Sequence, residues 1–218
     1  MRFDIITIFP ESLSGYFNAS ILGRAQEKRK IEIKLHNLRD FAHDKHKKTD
    51  DKSFGGGPGM VLKAEPIIKA VDFIFKRKTQ NKKTKIVIFS PSGKKFVQKT
   101  AKDWAKKYDN IILICGRYEG IDARVKTILK AEEISVGDCI LTGGELPSAF
   151  VVDAVSRQID GVLGKEDSLE EKRKISGFPL YTKPEIFEHN GKKYKTPKIL
   201  LSGHHKKIEE WRKKNSAI

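Results

Sequence analysis

The chain has 218 residues, of which 38% are hydrophobic and 33% charged, and 44 Lys and Arg against 28 Asp and Glu give a formal net charge of +16. This length predicts one large domain, or one with a small appendage. The charge favours a polyanionic partner over an acidic one, although a lysine-rich composition alone is the alternative explanation. No segment has the apolar length of a membrane span, and the first residues lack a signal-peptide pattern. Two cysteines without CxxC spacing indicate reduced core residues, so we expect a cytoplasmic protein with no membrane partner.

Short apolar, β-branched runs alternate with helical patterns along the first 160 residues. The predicted strands cover residues 3–9, 31–36, 85–89, 111–115 and 134–136. The predicted helices lie near residues 12–29, 65–77, 96–107, 121–130 and 147–159. The run 110–115 has no polar residue after Asn110, which is typical of a strand buried on both faces. This alternation predicts an α/β fold, a mostly parallel sheet with helices on both faces.

The character of the sequence changes after residue 160. Residues 161–177 are charged and contain Gly and Ser, with Pro179 just beyond them, which predicts a flexible linker. Residues 178–218 are too few for a robust core of their own and end in a predicted helix at 205–215. We therefore expect a small, mainly helical C-terminal domain that packs on the domain formed by residues 1–160 or on a partner subunit. Residues 76–85 are predicted to form an exposed basic loop.

Three glycine-bearing loops follow three of the inner strands, at residues 90–95, 116–122 and 136–147. In an open parallel sheet these loops share one edge, where ligands bind, and glycine lets a ligand approach the backbone. For any single glycine, a turn remains the simpler explanation. The loops contain no GxxxxGK[ST] motif, and no GxGxxG follows the first strand. A cofactor held by backbone contacts to an adenine and a small polar tail is therefore favoured over ATP or NAD.

A fourth segment, residues 50–60, reads DDKSFGGGPGM and lies outside the strand pattern. Its glycines allow tight, partly left-handed turns. It is either a flexible surface loop or a charged loop that faces a substrate, and the charged flanks favour the second. The histidines at 43, 46, 204 and 205 have no Cys partner nearby, so we interpret them as solvated or RNA-facing rather than as metal ligands. A serine-nucleophile motif of the GxSxG type is also absent from the sequence.

At these loops the sequence resembles the TrmD family, the knotted (SPOUT-type) tRNA guanine-N1 methyltransferases. The resemblance covers nearly the whole chain in order, through FDIITIFP, DKHKKTDDKSFGGGPGM, FSPSGK, ILICGRYEGIDARV, ISVGDCILTGGELP, VVDAVSRQIDGVLG, YTKPE and LSGHHKKIEEWR. It implies a deep trefoil knot, which is a rare exception to unknotted topology. It also implies S-adenosylmethionine as cofactor and a homodimer whose active sites lie at the subunit interface. The implied substrate is tRNA with guanosine 37, next to the anticodon, where methylation supports reading-frame maintenance.

The resemblance also implies roles for individual residues. Asp167 would act as the base that removes the N1 proton, Arg157 would stabilise the negative charge on O6, and Glu119 would orient the target beside the cofactor. The implied RNA-binding residues are Asp51, Gly57, Pro58, Gly59 and Ser168. The implied cofactor-binding residues are Ser90, Pro91, Gly116, Tyr118, Glu119, Gly120, Val136, Gly137, Cys139, Leu141, Gly143, Gly144 and Pro147.

The sequence departs from the family pattern near the linker. Ser176 and Gly177 replace an acidic position that, in studied members, helps to place a magnesium ion. Glu170 or Glu171 could substitute for it, or the metal requirement could be weaker, so Mg²⁺ is an optional cofactor. Two alternative functions remain: a knotted RNA methyltransferase that acts on ribose or another base, and a non-catalytic RNA-binding module. The GGGPGM and LSGHHKKIEEWR stretches argue against the first, and intact cofactor loops with Asp167 and Arg157 argue against the second.

Overall fold

The structure is a computed structural model that describes residues 1–77, 83–163 and 177–216. The chain divides into two compact units, Met1–Gly164 and Lys165–Ile218. Most of the predicted linker, residues 164–176, lies outside the described residues, as do residues 78–82 of the predicted basic loop. The division of the chain into a cofactor-binding domain (1–160), a linker (161–177) and a C-terminal domain (178–218), with the role of each, therefore stays a prediction.

The first unit is built on a five-stranded sheet in the order β2-β1-β6-β5-β7. The described residues of this unit form seven strands, two of which lie outside the sheet. They are β1 (Arg2–Thr7), β2 (Glu32–Asn37), β3 (Asp50–Asp51), β4 (Val61–Leu62), β5 (Thr84–Lys95), β6 (Asn110–Ile114) and β7 (Glu132–Ser135). Every pairing in the five-stranded sheet is parallel, whereas β3 and β4 form a separate antiparallel ladder. The predicted α/β fold with a parallel sheet is confirmed.

Helices cover both faces of this sheet. They are α1 (Glu11–Phe17), α2 (Ser20–Glu27), α3 (Ala64–Lys76), α4 (Gln98–Lys107), α5 (Arg124–Leu129) and α6 (Glu145–Ser156). Ile111 and Leu113 of β6 pack into a core with α1, α2, α4 and α6. Ile112 and Ile114 pack into a second core with α3 and α5. Successive strand residues point to opposite faces, and both faces of β6 are covered, so the strand is apolar at every position after Asn110 and all five of its residues are buried.

The structure differs from the prediction in three places of this unit. Strand β5 continues to Lys95 instead of ending at residue 89, because its register with β7 shifts between Phe89 and Lys94 and resumes beyond the bulge. The single predicted helix at 12–29 is two helices, since Ser20 has a positive φ of 50° that interrupts the helical path. The prediction that both cysteines are core residues is wrong for Cys139, which is exposed in a loop, and right for buried Cys115.

The second unit contains β8 (Ile186–His189) and β9 (Lys192–Lys195), followed by α7 (Lys198–Leu201) and α8 (His205–Lys214). The strands form an antiparallel hairpin. Its turn is Asn190-Gly191, and both residues have positive φ, 49° and 73°, as a type I′ turn requires. The prediction of a mainly helical unit missed this hairpin, whereas the final helix lies where it was predicted. None of the helices among the described residues is long and apolar enough to cross a membrane.

Candidate active site

A cavity of about 250 Å³ opens at the carboxyl edge of the five-stranded sheet. Its walls come from three separate segments: residues 89–91 in the β5 bulge, residues 116–120 after β6, and residues between 134 and 147 from the end of β7 into α6. We call it the glycine-lined cavity. The structure brings all the predicted cofactor-binding residues to it, namely Ser90, Pro91, Gly116, Tyr118, Glu119, Gly120, Val136, Gly137, Cys139, Leu141, Gly143, Gly144 and Pro147. Their contact with a cofactor stays a prediction.

Two walls of the cavity touch through their backbones. The Gly144 amide donates a hydrogen bond of 2.9 Å to the carbonyl of Gly116, and Arg117 forms an isolated antiparallel bridge with Gly143. A Cβ atom at Gly144 would lie 2.6 Å from the Cα of Cys115 and 2.9 Å from the amide nitrogen of Gly116. Because both neighbours are backbone atoms, they cannot rotate away. Glycine at 144 therefore allows the two loops to meet.

A buried polar network fixes the same two loops to strand β1. Glu145 is 5% exposed and lies in the first turn of α6, where the helix dipole favours a carboxylate. The Thr7 hydroxyl, at the end of β1, donates a hydrogen bond of 2.6 Å to Glu145 Oε1. The Nε of Arg117 forms an ion pair with Glu145 Oε2 at 2.9 Å. This network ties β1, the 116–120 loop and α6 together behind the cavity.

Sequence reasoning missed this network, although two of its three residues stand inside motifs that it had singled out. Arg117 belongs to GRYEG and Glu145 to GGELP. Thr7 lies 138 positions from Glu145, so no local spacing connects them. The network could have been suspected from the opposite charges of Arg117 and Glu145, which stand in two glycine-bearing loops at the same sheet edge.

Cys115 lies at the end of β6, next to the cavity residue Gly116, and it is buried. Burial raises the pKa of the Cys115 thiol well above its ordinary value, and the nearby Glu145 carboxylate raises it further. Because the thiolate is the nucleophilic form, this thiol stays protonated and unreactive at neutral pH. Cys115 is therefore a packing residue.

The predicted RNA-facing segment forms the loop of a short hairpin. Strands β3 and β4 pair Asp50 with Leu62 and Asp51 with Val61, and residues 52–60, which we call the glycine loop, connect them. Its predicted RNA-binding residues Gly57, Pro58 and Gly59 are exposed, as is Asp51 at its base. The structure thus places these four residues together at the surface.

The glycine loop is joined to the cavity wall that carries Glu119. The amide of Glu119 donates to the carbonyl of Met60 at 3.0 Å, and the amide of Leu62 donates to the carbonyl of Gly120 at 2.9 Å. Gly59 has a φ of +81°, and a Cβ atom there would lie 2.8 Å from Cγ of Glu119. Glycine at 59 is therefore favoured by its positive φ, whereas the contact with the flexible side chain of Glu119 could be relieved by rotation of that side chain.

The predicted catalytic residue Arg157 is not among the residues that line the cavity. Arg157 follows the last residue of α6, whereas the cavity contacts the first turn of that helix through Pro147. At 1.5 Å per residue, the 12 residues of α6 separate the two ends by roughly 18 Å. Asp167 and Ser168 lie outside the described residues, as does Ser176. Within the described ranges, no group of three or more His, Cys, Asp and Glu could hold a metal ion.

A parallel α/β sheet with a glycine-lined cavity at its carboxyl edge defines a class of proteins that bind small molecules through loop backbones. Comparison with known proteins makes the assignment specific. The family described as tRNA (Guanine-1)-methyltransferase TrmD matches residues 1–218, and the chain belongs to this family.

Several relatives named tRNA (guanine-N(1)-)-methyltransferase match the chain over almost its full length. The relative from Dictyoglomus turgidum is 50% identical over 219 residues, which cover 99% of this chain and 85% of the relative. The relative from Thermomicrobium roseum is 50% identical, with 98% and 78% covered. The relative from Clostridioides difficile is 46% identical, with 99% and 92% covered.

Proposed function

We propose that this chain transfers a methyl group from S-adenosylmethionine to N1 of guanosine 37 in tRNA, in the cytoplasm, next to the anticodon, and thereby supports reading-frame maintenance. The observation that carries the proposal is the glycine-lined cavity. Residues from three separate segments, each predicted to contact the cofactor, line one space at the sheet edge. The glycine loop, predicted to contact RNA, is hydrogen-bonded to the wall of the same cavity.

The cavity suits an adenosine with a small polar tail. Val136, Leu141 and Pro147 supply apolar surface, and the glycines leave backbone N–H and C=O groups accessible for recognition. When bound, S-adenosylmethionine supplies an electrophilic methyl group on a sulfonium. The polar network of Thr7, Arg117 and Glu145 holds the walls in place, so the cavity is preorganised for positioning.

The guanine base needs activation because its N1 atom carries a proton and is a poor nucleophile until that proton leaves. We assign Asp167 as the general base that accepts this proton. Negative charge then develops on O6, and we assign the guanidinium of Arg157 to stabilise it. Glu119, on the wall between the cavity and the glycine loop, is placed to orient the base.

We further propose that the chain works as a homodimer and that Arg157 serves the cavity of the other subunit. Arg157 lies ten residues after Pro147 of the cavity wall, which corresponds to roughly 15 Å along α6, and this separation supports supply of the guanidinium by a second copy. The same helix exposes Leu146 and Phe150, which are 69% and 51% accessible. Exposed apolar side chains on one helix favour a subunit contact.

Mixed dimers test this arrangement. Arg157→Ala and Glu119→Ala are each expected to inactivate the enzyme as homodimers. If Arg157 acts on the partner's cavity, a heterodimer of the two variants regains one intact site, and about half of the wild-type rate per dimer returns. If Arg157 acts within its own subunit, each site of the heterodimer carries one defect and the activity stays low.

The second unit is proposed to bind tRNA through its basic surface. The described part of this unit exposes lysines on β9, at positions 192, 193 and 195, and basic residues on α8, at positions 206, 207 and 212–214. Lys and Arg side chains clustered on the surface of one small unit supply the positive charge that binds RNA phosphates. A deep trefoil knot belongs to the proposal as well, supported by membership of the family. A role for Mg²⁺ stays a prediction, because Glu170 and Glu171 lie outside the described residues.

The proposed activity is tested by tritium transfer from labelled S-adenosylmethionine to tRNA transcripts with and without the target guanosine. Transfer is expected only to the transcripts that carry it. Transfer that is independent of this guanosine would mean that the target is another nucleotide. Binding of tRNA without any transfer would favour the non-catalytic RNA-binding module.

A further inference from the structure

The side chain of Phe54 is fully solvent-exposed, with 100% of its surface accessible. Burying a phenylalanine side chain is worth about 1.5–3 kcal/mol, so full exposure of this ring is unfavourable unless something covers it in the functional complex. Its neighbours in the glycine loop are Ser53 on one side and Gly55, Gly56 and Gly57 on the other. These small residues leave both faces of the ring open.

The backbone holds Phe54 at a defined position. The Ser53 hydroxyl donates to the carbonyl of Gly56 at 2.9 Å, which closes a turn with Phe54 at its first corner. The glycines that follow have positive φ values, +87° at Gly55 and +82° at Gly56. Farther along, the same loop is hydrogen-bonded to Glu119 in the wall of the glycine-lined cavity. The loop that carries the exposed ring is therefore attached, at Met60, to the element that presents Glu119.

The surroundings of the ring match an unpaired nucleotide. Exposed lysines at 45, 47, 48 and 52 flank the loop and supply charge for phosphates. Single-stranded RNA is commonly bound by stacking its bases on exposed aromatic rings beside such charges. The proposed target atom, N1, lies on the Watson–Crick edge of guanine, so the target must be unpaired when it binds. Position 37 lies beside the anticodon, in a single-stranded loop whose flanking bases are free to stack.

We infer that Phe54 is a positioning residue whose ring stacks on an unpaired nucleobase that directly flanks the target guanosine. The inference rests on the proposed function. Stacking would fix the flanking nucleotide against the glycine loop and thereby place the target guanine near Glu119. It predicts a loss of RNA affinity rather than of cofactor affinity when the ring is removed.

The first test compares Phe54→Ala, Phe54→Leu and Phe54→Trp. Removal of one base-stacking contact is expected to raise KM for tRNA by roughly tenfold or more in the alanine variant. The leucine variant, which is apolar but has no aromatic ring, is expected to behave like the alanine variant, and tryptophan is expected to restore the wild-type KM. The affinity for S-adenosylmethionine and kcat at saturating tRNA should stay within about twofold of wild type. Equal KM values for the leucine and wild-type proteins would overturn the inference, because hydrophobic contact alone would then suffice.

The second test identifies the stacking partner. Transcripts are made with an abasic nucleotide immediately 5′ or immediately 3′ of the target guanosine, and their dissociation constants are measured with wild type and with Phe54→Ala. For one of the two transcripts, the difference between the proteins is expected to vanish, as a double-mutant cycle requires for a direct contact. Undiminished differences on both transcripts would refute the stacking.

Two further measurements distinguish base stacking from a subunit contact and from failure of the proposed methyl transfer. If Phe54→Ala weakens dimerisation in sedimentation, the ring belongs to a subunit contact and the inference is wrong. If the wild-type chain transfers no methyl group to tRNA, the proposed function itself fails. Full methyl transfer by Phe54→Ala with an unchanged KM for tRNA would refute only the proposed role of Phe54.

Discussion

Gly144→Ala probes the contact between the two cavity loops. Gly144 has a φ of −84°, which alanine adopts without strain, so only the added Cβ atom matters. That atom would lie 2.6 Å from the Cα of Cys115, about 1 Å closer than the ordinary separation of roughly 3.5–4 Å between carbons. The loops must therefore move apart. Overpacking of this kind costs about 1–3 kcal/mol. Because the displaced loops form the cavity walls, this cost destabilises the form of the cavity that binds the cofactor. The dissociation constant of S-adenosylmethionine should then rise roughly 10- to 100-fold.

Calorimetric titration with S-adenosylmethionine measures this effect. The matched control is Gly15→Ala in α1, where an added Cβ atom meets nothing within 4 Å. The control should bind the cofactor like wild type, and helix formation should be slightly favoured because glycine is a poor helix former. Wild-type affinity in Gly144→Ala would refute the reasoning that the contact between residues 116 and 144 shapes the cavity.

Four other predictions follow from the site and the core. Asp167→Ala should lower methyl transfer at least about 100-fold with unchanged cofactor affinity in calorimetry, and full activity would remove the proposed base. Affinity for tRNA in filter binding should fall roughly tenfold or more between about 50 and about 200 mM salt, whereas a flat profile would mean that the basic surface does not bind RNA. Glu145→Gln should cost about 2 kcal/mol in urea unfolding, less than the ~3–5 kcal/mol of a fully buried pair because Arg117 is 23% exposed; an unchanged midpoint would contradict the network. Burial would raise the pKa of the Asp4 carboxyl, but hydrogen bonds from His36 and Arg2 outweigh it and hold that pKa below its ordinary value. Asp4→Asn should therefore lose about 3 kcal/mol at pH 7. The difference from wild type should shrink as the pH falls below about 4, because the carboxyl of the unfolded wild-type chain takes up a proton there before the native carboxyl does.

The fold could be predicted from the sequence because its signals are local. Strand β6 is apolar at every position after Asn110, and the structure buries it on both faces. The glycine-bearing loops follow such strands, and parallel strands bring their carboxyl ends to one edge. This is why residues from Ser90 to Pro147, far apart in sequence, line one cavity.

The elements that the sequence did not reveal depend on long-range contacts or on overlooked turns. The bulge and continuation of β5 depend on pairing with β7, more than 35 residues away along the chain. The bond between Thr7 and Glu145 spans 138 positions. The β8–β9 hairpin was recognisable from Asn190-Gly191, a dipeptide typical of type I′ turns. Neither strand shows a buried apolar face, because β9 reads KKYK and every residue of both strands is exposed. The catalytic assignments of Asp167 and Arg157 rest on family resemblance, because neither stands in a pattern that indicates chemistry by itself.

The chemical identity of the product shows which atom of the tRNA the chain methylates. After incubation of the chain with S-adenosylmethionine and a tRNA transcript, the RNA is digested to nucleosides and the methylated product is identified by mass spectrometry. We expect 1-methylguanosine, derived from the guanosine beside the anticodon. A methyl group on a ribose oxygen or on another base would contradict it, because N1 deprotonation would then have no part in the reaction.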